Sequence, residues 1–270
     1  MHPLLQKPFL VMGIVNVTPD SFFDGGKYAS ADSAIAHGVA LARDGADIID
    51  IGGESTRPGA KPVSADEECR RIVPVVEALA RQAGVPISVD TTKAAVAARA
   101  FAAGATWLND ISAGRFDAAM PMVAARSGCP VILMHSRETP ATMQADPHYR
   151  DVVAEVKKEL LERAAVFTGA GVQRENIILD PGIGFAKRPE DNLVIIRRLG
   201  ELLELGYPVC VGLSRKSFVG RITGREAEGR LAGSLAALAP ARQAGARLFR
   251  VHDVRETIDA LKVLDAIKNS

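Results

Sequence analysis

The stretch ADSAIAHGVALARDGADIIDI, residues 31–51, decides the fold. Its first part, 31–43, places Ala34, Ile35, Val39 and Leu41 along one side of a helix. Gly45-Ala46 then turns the chain, because glycine adopts the left-handed conformation after a helix at least cost. The run 47–51 follows. Its apolarity is near-continuous rather than alternating, which marks a strand buried on both faces, as in a parallel sheet. Helix, glycine turn and buried strand together make one supersecondary unit.

The unit recurs along the chain. Apolar runs at 9–15, 47–51, 86–89, 106–108, 130–134, 176–179, 208–213 and 247–251 are separated by helical patterns. Gly45, Gly84, Gly104, Gly128, Gly171, Gly206 and Gly245 stand before the strands that follow the first, and three of these turns read Gly-Ala. Ser64-Ala65-Asp66-Glu67 has the pattern of a capping box. A closing helix over 253–267 carries Ile258, Leu261, Leu264 and Ile267 at helical spacing. Eight βα units in a single pass predict a closed (β/α)8 TIM barrel, α/β in class, formed by one domain over 1–270. Two small domains and an open doubly wound sheet fit less well, since no Gly-x-Gly-x-x-Gly follows the first strand.

Composition narrows the function. The 270 residues carry a formal net charge of +1, so neither nucleic acid nor an acidic surface is expected as a partner, and any anion site must be local. Cys69, Cys129 and Cys210 are scattered, with no CxxC motif. Cys129 and Cys210, in apolar runs, read as core filling, and the odd, scattered set fits a reducing cytoplasm. The first residues lack a secretory pattern, and no run approaches the length of a membrane span.

Polar residues follow nearly every apolar run: Asn16, then Glu54, Ser55, Thr56 and Arg57, then Asp90, Asn109 and Asp110, His135, Asp180, Ser214, Arg215 and Lys216, and finally Arg250, His252 and Asp253. Helix N-capping explains any one of them. It does not explain all eight strand ends at once, and in a barrel these ends converge on the catalytic face. A compact anion fits among Arg57, Lys216, Arg250 and His252. A flat, amide-rich heterocycle fits Asp90, Asn109 and Asp180. Two loops, 18–26 and 55–62, mix glycine and proline with acids and exposed aromatics, and Phe22 and Phe23 suit a lid. No His-x-His, His-Glu-x-x-His or Gly-x-Ser-x-Gly is present, which argues against zinc and against acyl hydrolysis.

The motifs at 16–22, 53–59 (Gly-Glu-Ser-Thr-Arg-Pro-Gly), 88–91, 109–111, 180–185 (Asp-Pro-Gly-Ile-Gly-Phe), 214–217 and 250–254 together resemble the dihydropteroate synthase family, in order, over nearly the whole chain. The resemblance implies a transferase that joins a dihydropterin methyl diphosphate to p-aminobenzoate in folate synthesis, through an SN1-like step, and that sulfonamides inhibit. It implies that Asp90, Asn109, Asp180 and Lys216 hold the pterin beside Phe185, and that Asn16 helps bind Mg²⁺ on the diphosphate. Thr56, Arg250 and His252 would grip the diphosphate, while Phe22, Arg57, Pro58, Lys216 and Ser217 would line the p-aminobenzoate pocket. Lys216, Asp180, Arg250 and His252 are the expected catalytic set. A cytoplasmic homodimer pairing through C-terminal helices is implied as well. Where many relatives read Met-His-Met-Gln-Gly after the fifth strand, this chain reads Met134-His135-Ser136-Arg137-Glu138. His135 and Asp110 are left to capping or support. The alternatives are a pterin-binding barrel that passes a methyl group from a folate to a corrinoid, and a non-catalytic pterin-binding protein.

Overall fold

The computed structural model describes residues 3–18, 27–56, 59–139, 142–143 and 147–270, with the backbone alone for 27–30. Eight short parallel strands run β1 (Leu10–Asn16), β2 (Ile48–Gly52), β3 (Ile87–Asp90), β4 (Trp107–Asp110), β5 (Val131–Met134), β6 (Ile177–Asp180), β7 (Cys210–Val211) and β8 (Leu248–Val251). They pair in the order β6-β5-β4-β3-β2-β1-β8-β7. The two ends of that sheet meet through a parallel bridge between Leu179 and Val209, where Leu179 N donates to Pro208 O at 2.9 Å. The sheet is therefore a nearly closed barrel, as the eightfold repeat predicts. Several strands run one or two residues further than their apolar runs, so Asn16, Asp90, Asn109, Asp110 and Asp180 lie within the ladder itself.

Helices pack around the outside: α1 (Lys27–Arg43), α2 (Ala65–Gln82), α3 (Ala94–Ala102), α4 (Met120–Ser127), α5 (Val152–Gly169), α6 (Pro189–Arg197), α7 (Gly200–Leu203), α8 (Ser217–Thr223), α9 (Leu231–Ala244) and α10 (Val254–Lys268). All seven glycines that precede strands have positive φ. Only half of the capping box at α2 forms. Ser64 Oγ accepts from Glu67 N at 3.2 Å, while the Glu67 carboxylate accepts instead from Arg70 and Arg71.

Two cores result from strand geometry. Side chains alternate across a strand, so each strand feeds the barrel interior and the helix layer in turn. Leu10, Met12, Ile48, Trp107, Ile132, Ile178, Cys210 and Leu248 fill the interior, with Leu5 of a 3₁₀ turn, Pro3–Gln6, packed against them. Val11, Val15, Ile49, Ile51, Leu108, Val131, Leu133, Ile177 and Phe249 face the helices. The apolar continuity in the sequence is thus two alternating apolar sets. Cys69, Cys129 and Cys210 are buried free thiols.

Candidate active site

Counting by two from the interior core residues reaches the catalytic face. Ile48 leads to Asp50 and Gly52, Trp107 to Asn109, Ile132 to Met134, Ile178 to Asp180, and Leu248 to Arg250. On β3, Ser88 and Asp90 occupy the same parity, because Asp90 pairs in register with Gly52 and Asn109. The inward residues meet across the barrel. Arg250 Nε donates to Asp50 Oδ2 at 2.6 Å and Nη2 donates to Asp90 Oδ2 at 2.6 Å. Asp50 Oδ2 also accepts from Asn109 Nδ2 at 3.0 Å. Asp50 is 0% exposed, and its second oxygen has no hydrogen-bond partner among the described residues.

Asp50 is absent from the sequence-derived site, yet it orients two members of that site. Because Asp50 takes the Asn109 amide N–H, the amide oxygen is left as the acceptor that Asn109 offers. With Asp90 and Asp180, three inward groups then present acceptors. Arg250, expected at a diphosphate, lies across Asp50 and Asp90 on the heterocycle side of the ring.

Asp180 is fixed by the loop that follows it. Its Oδ1 accepts from Gly182 N at 2.7 Å. Gly182 has φ 69°, and a Cβ built there would sit 2.1 Å from the His135 carbonyl oxygen, so no other residue fits. Gly184 N donates to Asn192 Oδ1 at 2.7 Å, and Tyr149 Oη donates to Ala186 O at 2.7 Å. The loop carries Phe185, whose ring lies 4.4 Å from Lys216 Nζ and which clusters with Ile111, Met134 and Met143. This meeting of a cation with an aromatic face holds Lys216 at the mouth.

Burial tunes the ring. It pushes the Asp90 carboxyl well above the usual carboxylate range, against the pull of Arg250 and with added repulsion from Asp50. Burial raises Asp180 too, against Gly182 N–H and Lys216. Lys216 is brought down to about 8 by burial, with Asp180 opposing the fall. His252 is brought down to about 4 by burial, helped by Arg250 and Arg215, so at neutral pH it is an uncharged imidazole. Its Nδ1 lies 3.1 Å from Ser214 Oγ, and its backbone N–H donates to the same oxygen at 3.2 Å.

Asn16 is exposed at the end of β1, beside Gly52 in register. Thr56 is half-buried in the lining of a cleft of about 240 Å³ that also touches Glu54, Asp90, Lys93, Ile111 and Phe116. Ser217 is exposed at the start of α8, next to Lys216. Phe22, Arg57 and Pro58, along with Phe23, lie outside the described residues. The structure thus brings Asp90, Asn109, Asp180, Phe185, Lys216, Arg250 and His252 to one end of the barrel.

Residues of the opposite parity face the helices. Asp110 Oδ1 accepts from Ser112 N and Oγ at 2.8 and 2.7 Å, and Oδ2 accepts from Gly114 N at 2.6 Å, which ties down the β4 loop. Asp253 pairs with Arg215. His135 turns away from the ring toward α5, where its Nε2 lies 3.2 Å from Glu159 Oε2. After β2, Glu54 turns to Lys93 at 2.6 Å and accepts from Val63 N at 2.8 Å, closing the loop 55–62 at its base.

This geometry has relatives. A profile of pterin binding enzymes matches residues 12–252. The chain belongs to the pterin-binding enzyme family. Dihydropteroate synthase of Bacillus subtilis (strain 168) is 48% identical over 260 residues, which cover 96% of this chain and 89% of that protein. The solved structure of the Xanthomonas albilineans dihydropteroate synthase with 4-aminobenzoic acid superposes with a TM-score of 0.92 at 49% identity, over 98% of this chain and 95% of that one. The Yersinia pestis dihydropteroate synthase in complex with a sulfonamide drug gives a TM-score of 0.91 at 42% identity, over 97% and 94%. In this pterin-binding barrel no helix among the described residues is long and apolar enough to cross a membrane.

Proposed function

We propose a division of labour within the ring for the reaction that family membership gives this chain. That reaction is the dihydropteroate synthase condensation: (7,8-dihydropterin-6-yl)methyl diphosphate and p-aminobenzoate give 7,8-dihydropteroate and diphosphate, a transferase step of folate biosynthesis. The observation that carries the assignment of roles is the Asp50 bridge. It leaves the Asn109 amide oxygen as an inward acceptor beside Asp90 and Asp180, a match for the run of N–H donors along an aminopyrimidinone edge. Lys216 supplies the complementary donor and, with Phe185, brackets the ring plane.

The diphosphate arm extends toward Asn16, Thr56 and His252. Neutral His252, its Nδ1 facing Ser214, offers Nε2–H to a diphosphate oxygen as a hydrogen bond rather than a charge. Arg250 keeps Nη1 for the same oxygens while its other nitrogens hold the carboxylates. Among the described residues no cluster of three His, Cys, Asp or Glu could hold a metal ion. The Asn16 amide oxygen is a hard, neutral donor, and that fits a Mg²⁺ that arrives with the diphosphate and takes most of its ligands from phosphate and water. When bound, Mg²⁺ would offset diphosphate charge.

The reaction then needs little proton chemistry from the chain. The C–O bond to diphosphate breaks first, with its electron pair leaving on diphosphate. The electron-rich pterin, held by the acceptor ring, stabilises the methylene cation. The neutral aryl amine attacks this carbon with its nitrogen lone pair and forms the C–N bond. Its proton passes to solvent or to the departing diphosphate. Arg57, Pro58, Phe22 and Ser217 complete the amine pocket in this reading, and a sulfonamide would compete there. The chain works in the cytoplasm as a homodimer that pairs through the exposed Val263 and Ile267 of α10, and sedimentation at the mass of one 28.6 kDa chain would contradict the pairing. Purified protein given the pterin diphosphate is expected to release diphosphate and dihydropteroate in equal amounts once p-aminobenzoate and Mg²⁺ are added. Methyl transfer to a corrinoid, or binding with no turnover, would instead favour the alternatives.

A further inference from the structure

Behind the pterin side of the ring lies a buried cation that the condensation does not use. Lys187 is 2% exposed. Its Nζ donates to Phe185 O at 2.9 Å, stands 3.4 Å from His135 O, and lies 3.0 Å from His135 Nδ1. Among the described residues Lys187 forms no ion pair. Burial brings it down to about 7, with Asp180 and Glu159 holding it up from a distance. A buried ammonium satisfied only by neutral acceptors costs stability, and a purely structural site would use an apolar side chain.

The contacts show what the lysine holds. Lys187 Nζ meets His135 at Nδ1, and the other ring nitrogen, Nε2, faces Glu159 Oε2 at 3.2 Å. Glu159 Oε1 is held in turn by Arg137 Nη2 at 2.6 Å. This chain anchors Lys187 to α5 and to the end of β5. From there Lys187 grips the Phe185 carbonyl, in the middle of the loop whose start orients Asp180 and whose ring meets Lys216.

We propose that Lys187, acting through His135, is a positioning residue for the pterin half of the site: it fixes the loop 181–187, and through it Asp180 and Phe185, without touching substrate. The proposal rests on the reading that the ring binds a dihydropterin. Its effect falls first on the pterin, because the group that the loop orients directly is Asp180.

The test is steady-state kinetics of Lys187→Met, His135→Leu and the double variant, each checked for folding by circular dichroism and melting. Each single variant is expected to raise KM for the pterin diphosphate about tenfold and to leave KM for p-aminobenzoate within twofold. The double variant should be no worse than the poorer single one, because both act through one contact. Should Lys187→Met fail to fold, the KM split in His135→Leu carries the test. Folded variants with unchanged pterin KM, equal rises in both KM values, or a roughly hundredfold additive rise in the double variant would overturn the proposal. Failure of the wild-type chain to make dihydropteroate would instead overturn the functional reading on which the proposal rests.

Discussion

At the scale of single residues, parity separates chemistry from support. Asn109 and Asp110 are neighbours in sequence and both are buried, yet one faces the ring and the other caps a loop. His135 and Asp253 differ from Met134 and His252 in the same way. The motifs around Asp90, Asn109, Asp180, Lys216 and Arg250 could be read from sequence because polar groups recur just where the buried apolar runs end. Asp50 could also have been found, since it sits two residues after Ile48 on an interior parity. The near-continuous apolarity of the run 47–51 hides it. Lys187 gave no such signal, because its role depends on a loop folding back over β5. Gly182 shows how tightly that loop is held. Gly182→Ala must relieve an approach of 2.1 Å to a backbone oxygen and a φ of 69°. It should cost about 2 kcal/mol or more, read by denaturant unfolding, and should weaken pterin binding. A variant as stable as the parent would show that the loop can move aside.

At the scale of elements, the βα loops are fastened by ion pairs that the repeat pattern could not show. The unit of helix, glycine turn and strand was legible because it is local and periodic. The Glu54–Lys93–Glu68 triad joins three separate elements, β2, α2 and the start of α3, and only the closed barrel brings them together. Glu68 is 0% exposed and is raised by burial, with Lys93 holding it down. Lys93→Met would leave that carboxylate buried without its cation, at a cost of about 3 kcal/mol or more at pH 7. The sign with pH follows from the raised value. A carboxyl whose folded pKa lies above its unfolded pKa binds a proton more readily when folded, so folding loses stability as pH rises through that window. The deficit in Lys93→Met should therefore shrink toward pH 5, as followed by urea melts across pH. A deficit that grows toward acid would mean that Glu68 is not the group left unpaired.

At the scale of the whole molecule, eight repeats place eight strand ends around one opening, and the inward parity of those ends defines the site. The acceptor set of Asp90, Asn109 and Asp180 comes from three strands that the sequence spaces tens of residues apart, and Arg250 from a fourth closes the ring across the barrel. The sequence conveyed the barrel, the order of the motifs and most of the ring. It could not convey the cross-barrel bridge, which exists only once β1 to β8 close on themselves. The most direct test of this account compares dihydropteroate formation by Asp180→Asn and Asp110→Asn, both substitutions of buried aspartates at strand ends, under one set of conditions. The expected result is a loss of at least a hundredfold in kcat/KM for the pterin diphosphate in Asp180→Asn, with Asp110→Asn within about threefold of the parent wherever both proteins are folded. Comparable losses in both variants, or near-normal turnover in Asp180→Asn, would contradict the assignment of the inward ring as the site of condensation.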